Sequence, residues 1–339
     1  MNFQAFYAAL KADQLERCYL FEGEEEYSKE AALRDLEKKV LDGPFAEMTR
    51  TVLSDPDAGA IIAANETLPF MAERRLVIVR ESGMLSGKAS GYDEGDSAEK
   101  LKQYLPDCPP SSVLVFYVRG KADGRKKLYT ALKKQAAIVS FERLTEDQLR
   151  AWIARECKRR GKNISYDTCA LLVFSVGTDL QLLSGELEKL CAYAGEHQEI
   201  TSADVDAVCA RNTEYKVFDM AGAILDGDGK RAFALMNAIL RDGEDRLYLL
   251  ALLGRQCRQL ASVSRMNLAG ASQQQIERAT GMPGFAVRRT LKQAGRYTQE
   301  QLTAMADACL QMEYQVKSGQ IGDEGSLERL MLEILSYGR

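Results

Sequence analysis

The stretch Ser112-Val-Leu-Val-Phe-Tyr-Val118 is a short, nearly continuous run of β-branched and aromatic residues, and Leu76-Val-Ile-Val79 is a second such run. Runs of this length and composition are typical of strands that are buried on both faces of a parallel sheet. The runs at 18–21 and 137–141 are similar. Helical patterns separate these runs, at about residues 31–40, 57–65, 98–105 and 124–135. This alternation predicts a parallel α/β domain over residues 1–142.

Beyond Leu144 the strand signals stop, and the rest of the chain is predicted to be helical. Residues that commonly begin helices mark four starts, at Thr145, Ser165, Asp179 and Thr201. The predicted helix at 244–268 has broad apolar faces, which are typical of a helix that packs on two sides. We predict a small helical domain at 143–212 and a C-terminal helical bundle at 213–339. The segment 86–97, rich in Gly, Ser and acidic residues, is predicted to be an exposed loop.

Composition and charge exclude several classes of protein. The 339 residues carry a formal net charge of −4, so any contact with nucleic acid requires a local basic patch or a complex. No segment has the length and apolarity of a membrane span, and the N-terminus lacks the pattern of a secretory signal. The eight cysteines form no C-x-x-C pair and are predicted to be buried thiols of a cytoplasmic protein. The one histidine, His197, lies in a predicted turn, so we expect no catalytic triad and no metal site.

An α/β domain followed by a small helical domain is the layout of AAA+ ATPases, whose first strand leads into a phosphate-binding loop, G-x-x-x-x-G-K-[ST]. Here the first strand leads into Glu22-Gly-Glu-Glu-Glu-Tyr-Ser-Lys-Glu30. We interpret this segment as keeping Gly23 and losing the second glycine and the lysine–hydroxyl pair. Glu24 and its acidic neighbours place negative charge where phosphate oxygens would lie.

Two further positions of a nucleotide site are altered. Arg80 follows the second apolar run where a metal-binding aspartate is expected, and its positive charge would oppose Mg²⁺. Gln181 occupies the helix position at which such ATPases carry an arginine, and a Ser-Arg-Cys finger is absent from the sequence. We therefore expect a degenerate nucleotide site at Gly23, Glu24, Arg80 and Gln181, with no catalytic residues, no cofactor and no intrinsic ATPase activity.

Five short segments occur in an order that is typical of one family. They are Tyr19-Leu-Phe-Glu-Gly23, Leu68-Pro-Phe-Met-Ala-Glu-Arg-Arg-Leu-Val-Ile-Val79, Leu187-Glu-Lys-Leu190, Val217-Phe-Asp219 and Lys317-Ser-Gly319. With the degenerate phosphate loop, they make the chain resemble the delta-subunit family of the bacterial DNA polymerase III clamp loader over essentially its full length.

The resemblance implies a function and a set of partners. Members of this family bind the sliding clamp (beta subunit) through a pair of large apolar residues and help to open its ring. Here the matching residues are Phe70 and Met71, with Leu68 beside them. A C-terminal collar would bind the gamma/tau and delta prime subunits. Primer–template DNA would pass the inner face of the assembled ring near Lys317. The complex would be part of a cytoplasmic DNA polymerase holoenzyme, a nucleotidyltransferase.

Other interpretations remain open at this stage. Residues 273–294 have the pattern of a helix–turn–helix with exposed cations at Arg288, Arg289, Lys292 and Arg296, which would suit a DNA-binding regulator. An ordinary helical hairpin with a solvated basic face explains the same pattern. An AAA+ ATPase with an unusual loop and an inert scaffold subunit are further alternatives. The scaffold differs from a clamp-binding subunit only at Phe70 and Met71, which would then cover the edge of their own sheet.

Overall fold

The computed structural model describes residues 1, 3–41, 45–87 and 91–338. The chain divides into two compact units, Met1–Thr145 and Glu146–Arg339. Part of the predicted loop at 86–97, namely residues 88–90, lies outside the described residues.

The first unit is built on a five-stranded parallel sheet. Its strands are β1 (Cys18–Glu22), β2 (Arg50–Ser54), β3 (Arg75–Arg80), β4 (Ser112–Tyr117) and β5 (Ala137–Ser140). Their order across the sheet is β2-β3-β4-β1-β5, and every pair is parallel. The three central strands are almost fully buried, which explains why their sequences are continuously apolar rather than alternating. The predicted fold class, an AAA+-like parallel α/β domain followed by helices, is confirmed.

Helices cover both faces of this sheet. They are α1 (Phe3–Lys11), α2 (Glu26–Val40), α3 (Ala58–Glu66), α4 (Glu94–Tyr104) and α5 (Lys127–Gln135), with 3₁₀ turns at Ala46–Thr49 and Leu105–Asp107. Successive side chains of a strand point to opposite faces, so each central strand supplies two cores. Val77 and Val79 pack in the layer of α3, α4 and α5, whereas Leu76 and Ile78 pack in the layer of α1 and α2.

Several boundaries differ from the sequence predictions. Strand β2 was missed because it is an edge strand that is only partly buried, and its apolar run is two residues long. Helix α4 begins four residues earlier than predicted, because the side chain of Asp93 accepts hydrogen bonds from the N–H groups of Gly95 and Asp96. The end of the predicted exposed loop is therefore helical. Helix α1 was not predicted, and it packs through Phe6 onto the sheet.

The second unit is largely helical. Its helices are α6 (Glu146–Arg159), α7 (Tyr166–Val176), α8 (Leu180–Tyr193), α9 (Ser202–Val208), α10 (Thr213–Leu225), α11 (Gly229–Arg241), α12 (Arg246–Leu268), α13 (Gln273–Thr280), α14 (Gly284–Ala294), α15 (Gln299–Lys317) and α16 (Ser326–Ser336). The predicted caps Ser165, Asp179 and Thr201 each accept a hydrogen bond from the first turn of their helix. Two short strands, β6 (Asn163–Ile164) and β7 (Glu199–Ile200), pair in parallel, so the expectation that strands stop after Leu144 is wrong.

Helix α12 is the centre of the bundle, as its apolar faces predicted. It packs against α10, α14, α15 and α16, and burying it on several sides explains its leucine-rich sequence. All eight cysteines are free thiols, and seven of them are buried. Burial raises the pKa of Cys157 to about 12, which favours the unreactive thiol form. In the described parts of the chain, no helix has both the length and the apolarity that crossing a membrane requires.

A buried carboxylate on α10 joins two other segments of the second unit. Asp219 accepts hydrogen bonds from Arg211 Nη1 at 2.7 Å and from Arg289 Nη1, on α14, at 2.6 Å. The guanidinium of Arg289 also lies 4.7 Å from the ring centre of Phe218. Asp219 is thus compensated by two cations. Removing its charge takes the carboxylate partner from Arg289 and leaves Arg211 paired with Asp206, 3.2 Å from its Nη2.

We expect Asp219→Asn to lower the free energy of unfolding of the second unit by about 3 kcal/mol, because it breaks a buried charge pair. Asp226→Asn, which breaks the exposed pair with Arg296, should cost less than about 1 kcal/mol. Trp152, the only tryptophan, is buried in this unit, so urea unfolding followed by its fluorescence reports both changes. Equal losses in the two variants would contradict the structural role of Asp219.

Candidate functional site

The loop at residues 67–74, between α3 and β3, displays three large apolar side chains to solvent. Leu68 is 80% exposed, Phe70 is 52% exposed and Met71 is 74% exposed. We call these three residues the apolar tip. Adjacent exposed apolar residues mark an interaction surface more often than isolated ones do. More than half of Phe70 and of Met71 faces solvent, so the edge of their own sheet does not bury these side chains.

The base of this loop is held firmly. Arg75, which is buried, donates from Nη1 to the carbonyl oxygen of Thr67 at 2.8 Å and so closes the loop. Asn65, at the end of α3, donates from Nδ2 to Tyr104 Oη at 3.0 Å and accepts from Ser112 Oγ at 2.6 Å. These bonds tie the loop ends to α4 and β4. The apolar tip is therefore carried on an anchored base.

The tip itself contains a strained residue. Met71 has a φ of +49°, in the left-handed region that non-glycine residues rarely adopt. Such a conformation costs on the order of 1 kcal/mol and is kept only where the surroundings impose it. The ring of Phe70 meets that of Phe45 edge-on, with centroids 5.5 Å apart, and this contact limits the positions that Phe70 can take.

The segment after β1 shows why Gly23 is retained. Its φ is +120°, and a Cβ at this position would lie 2.1 Å from the carbonyl oxygen of Phe141. Its N–H donates to the carbonyl oxygen of Gly120 at 2.7 Å. The glycine is thus required for close packing between β1 and the segment after β5, and its N–H is engaged within the chain.

Lys29 corrects one part of the sequence interpretation. It stands six residues after Gly23, which is the spacing between the first glycine and the lysine of a phosphate-binding loop. The prediction that the lysine is missing is therefore wrong. The second glycine is replaced by Ser28, and the hydroxyl residue by Glu30.

The ammonium group of Lys29 is fully buried and bonded within the chain. Its Nζ donates to the carbonyl oxygens of Gly23 at 2.8 Å and Val118 at 2.7 Å, and to Glu26 Oε1 at 2.7 Å. An ammonium has three N–H donors, so each one already has an acceptor. Desolvation by burial lowers the pKa of Lys29, while the carboxylate of Glu26 opposes that shift.

Glu30 and Arg80 occupy the two positions at which an ATPase has the hydroxyl residue and the aspartate that bind a metal ion, and here they form a direct ion pair. Arg80 donates from Nη1 and Nη2 to the two carboxylate oxygens of Glu30, at 2.7 and 3.2 Å. The guanidinium also lies 4.5 Å from the ring centre of Tyr117 on β4. The hydrogen bond from Arg80 lowers the pKa of Glu30, and the same bond raises the pKa of Arg80. This carboxyl edge of the sheet, the usual ligand edge of open α/β folds, is occupied by the chain's own charges.

The remaining predicted residues lie on different elements of the two units. Glu24 is exposed at the same edge and pairs with Arg143 at 3.1 Å. Gln181 is exposed in the first turn of α8, and Lys317 is the exposed last residue of α15, where it pairs with Glu313. The sequence interpretation missed Lys29, Glu30 and Tyr117. Counting six residues from Gly23 would have found the first two, but nothing in the sequence indicates that Tyr117 packs on Arg80.

The predicted helix–turn–helix segment forms α13 and α14, joined through Gly281 in the left-handed conformation. Three of the four cations that were predicted to be exposed here pair with carboxylates of the same unit. The pairs are Arg288–Asp167 at 3.1 Å, Arg289–Asp219 at 2.6 Å and Arg296–Asp226 at 2.8 Å. Because these cations already have partners within the chain, the structure favours the helical hairpin over a DNA-reading motif.

A parallel α/β unit, a helical region and a phosphate-loop edge filled by internal ion pairs together define an AAA+-like protein with an altered nucleotide edge. A family model described as "DNA polymerase III, delta subunit" matches residues 19–142, and the model of the C-terminal domain of the same subunit matches residues 214–334. The chain therefore belongs to the DNA polymerase III delta subunit family.

Similar proteins support this assignment. The chain is 27% identical over 330 residues to DNA polymerase III subunit delta of Bacillus subtilis (strain 168), covering 96% of this chain and 95% of that one. It is 23% identical over 259 residues to a probable DNA polymerase III subunit delta of Aquifex aeolicus (strain VF5), covering 75% and 73%. A solved structure of a Bacillus subtilis DNA clamp loader delta protein matches with a TM-score of 0.56 and 26% identity, covering 98% and 99%.

We expect Lys29→Met to destabilise the first unit by about 2–4 kcal/mol, because the buried carbonyl oxygens of Gly23 and Val118 lose the ammonium donor. Lys38→Met, which changes an exposed lysine on the same helix, should cost less than about 0.5 kcal/mol. Hydrogen exchange of the amides of β1 and α2, measured by mass spectrometry, would give both values. Unchanged protection in Lys29→Met would show that the buried ammonium contributes nothing to stability.

The pair between Glu30 and Arg80 should make stability depend on pH. Because the folded-state pKa of Glu30 is lowered, its contribution is present above the unfolded pKa and is lost as the pH falls through the folded pKa. Glu30 is partly exposed, so Glu30→Gln should cost about 1 kcal/mol or less near neutral pH. The difference from wild type should shrink below about pH 4.3. Urea unfolding at several pH values tests this, and a difference that grows on acidification would contradict it.

Proposed function

We propose that this chain is the clamp-loader subunit that binds the sliding clamp (beta subunit) and helps to open its ring for loading onto primed DNA. The observation that carries this proposal is the apolar tip, which is exposed at its end and anchored at its base. Membership of the delta subunit family supports it, as does the similarity to a solved clamp loader delta protein.

The tip has the chemistry of a binding hot spot. Burying a large apolar side chain contributes about 1.5–3 kcal/mol, and Leu68, Phe70 and Met71 can all be buried by one partner. Because Arg75 closes the loop and Phe45 restrains Phe70, little conformational entropy is lost on binding. Such a tip opens a ring only if it binds the open form of the clamp more tightly than the closed form.

The energy for the loading cycle would come from other subunits. The three donors of Lys29 are engaged and Glu30 is paired with Arg80, so we expect no nucleotide cofactor and no ATPase activity of this chain. In this proposal residues 143–212 act as the lid and 213–339 as the collar that binds the gamma/tau and delta prime subunits. Primer–template DNA would then pass Lys317, and the complex would act in the cytoplasm as part of the polymerase holoenzyme.

The main alternative is an inert scaffold subunit, which differs from a clamp-binding subunit only in having no use for the tip. A scaffold would need the helical bundle but would have no use for a strained, exposed apolar loop on the first unit. The restraint on Phe70 and the left-handed Met71 favour the clamp-binding subunit.

We expect the purified chain to bind the sliding clamp of its own organism without nucleotide. A Phe70→Ala/Met71→Ala double variant should bind at least about tenfold more weakly, which corresponds to about 1.4 kcal/mol. Because both side chains are more than half exposed, the variant should stay folded and lose only the contact between Phe70 and Phe45. Isothermal titration calorimetry would measure the affinities.

The matched control is Leu268→Ala, which removes an equally exposed apolar side chain from the second unit and should leave the affinity unchanged. Binding that the double variant leaves intact would place the clamp site elsewhere on the chain. A folded wild-type chain that fails to bind the clamp would overturn the proposed function and favour the scaffold.

A further inference from the structure

A second apolar segment lies beside the tip. The 3₁₀ turn Ala46–Thr49 precedes β2, and the tip loop precedes β3. Strands β2 and β3 are neighbours in a parallel register, with Arg50 opposite Leu76. Segments that precede adjacent parallel strands lie at the same edge of the sheet. The two segments therefore emerge side by side.

Phe45 and Met48 extend the apolar surface from this turn. Phe45 contacts the ring of Phe70, and its carbonyl oxygen accepts a hydrogen bond from Met48 N–H at 3.0 Å. In 3₁₀ geometry, side chains three residues apart lie on the same side of the turn. Met48 therefore lies on the same side of the turn as Phe45, and it is 65% exposed.

Three acidic residues lie in or beside these two segments, together with the cation Arg74 of the tip loop. Glu47 is next to Met48, Glu66 ends α3 immediately before the tip loop, and Glu73 lies within that loop. All three are exposed, and among the residues that the structure describes none of these carboxylates pairs with a cation. An acid at the end of a helix is unfavourable to the helix dipole, so Glu66 is not explained by the stability of α3.

We propose that the clamp-binding surface has two parts, the apolar tip and Met48, and that its acidic rim fits an apolar cleft of the clamp that is bordered by lysine or arginine residues. This inference rests on the proposed function and specifies the surface that performs it. Phe45 acts as a positioning residue, because it contacts Phe70 and holds the turn that carries Met48.

The two parts have different physical roles. Met48 adds apolar area at the margin of the tip, so its loss acts mainly on the dissociation rate. The carboxylates of Glu47, Glu66 and Glu73 are exposed, so they act mainly on the association rate and its dependence on salt. The two contributions can therefore be measured separately.

Met48→Ala should weaken clamp binding by about threefold or more, with an increased dissociation rate in surface plasmon resonance. Leu268→Ala is again the matched control and should bind as wild type does. If Met48→Ala binds as tightly as wild type, the turn is not part of the interface.

A Glu47→Gln/Glu66→Gln/Glu73→Gln variant should associate more slowly at low salt, and its association rate should change less with ionic strength than that of wild type. The control is Glu188→Gln/Glu196→Gln/Glu300→Gln, which makes the same change in net charge at exposed positions of the second unit. If the two triple variants have equal effects, net charge alone accounts for the change in association rate, and the proposed role of the rim is overturned.

Failure of the two-part surface and failure of the proposed function would give different experimental results. Clamp binding that depends on Phe70 and Met71 but is unaffected by the Met48 and rim variants would overturn only the two-part surface. Clamp binding that survives Phe70→Ala/Met71→Ala would overturn the tip itself.

Discussion

The buried ammonium group of Lys29 organises the carboxyl edge of the sheet. It bonds to the carbonyl oxygen of Gly23 at the end of β1, to that of Val118 just after β4, and to Glu26 in the first turn of α2. A buried cation without acceptors would be very costly, so these three segments must stay together for the charge to be tolerated. The position that neutralises phosphate in an ATPase is used here as an internal cross-link.

Glu30 and Arg80 are likewise bonded to each other within the chain, at positions where an ATPase binds a metal ion. A hydroxyl and an aspartate can share a magnesium ion, whereas a carboxylate and a guanidinium satisfy each other directly. Tyr117 packs on Arg80 and donates a hydrogen bond to Glu26, so the charges at this edge are bonded to one another. The fold is thus kept while its usual ligand edge becomes part of the structure.

The apolar tip lies at the opposite edge of the same sheet. It precedes β3, whereas Arg80 ends that strand, so about 20 Å of strand separates them. The tip projects from the start of β3, a strand that is buried along most of its length. Burial of Arg75 and Asn65 at this base keeps the loop closed while leaving Phe70 and Met71 free to meet a partner.

The apolar runs of the central strands were sufficient to predict the parallel α/β class, because a strand buried on both faces leaves a continuous apolar signature. The N-caps Ser165, Asp179 and Thr201 could also be predicted from the sequence, because the side chain of an N-cap bonds only to the first turn of its own helix. The candidate tip could be named from its sequence, but its exposure could not, since Phe70 and Met71 would look the same under a covering helix. The partners of Lys29, Glu30 and Asp219 are up to 89 residues away in the chain. Local sequence carries no information about such contacts, and the packing of the sheet and helices decides whether a charge becomes a ligand site or an internal ion pair.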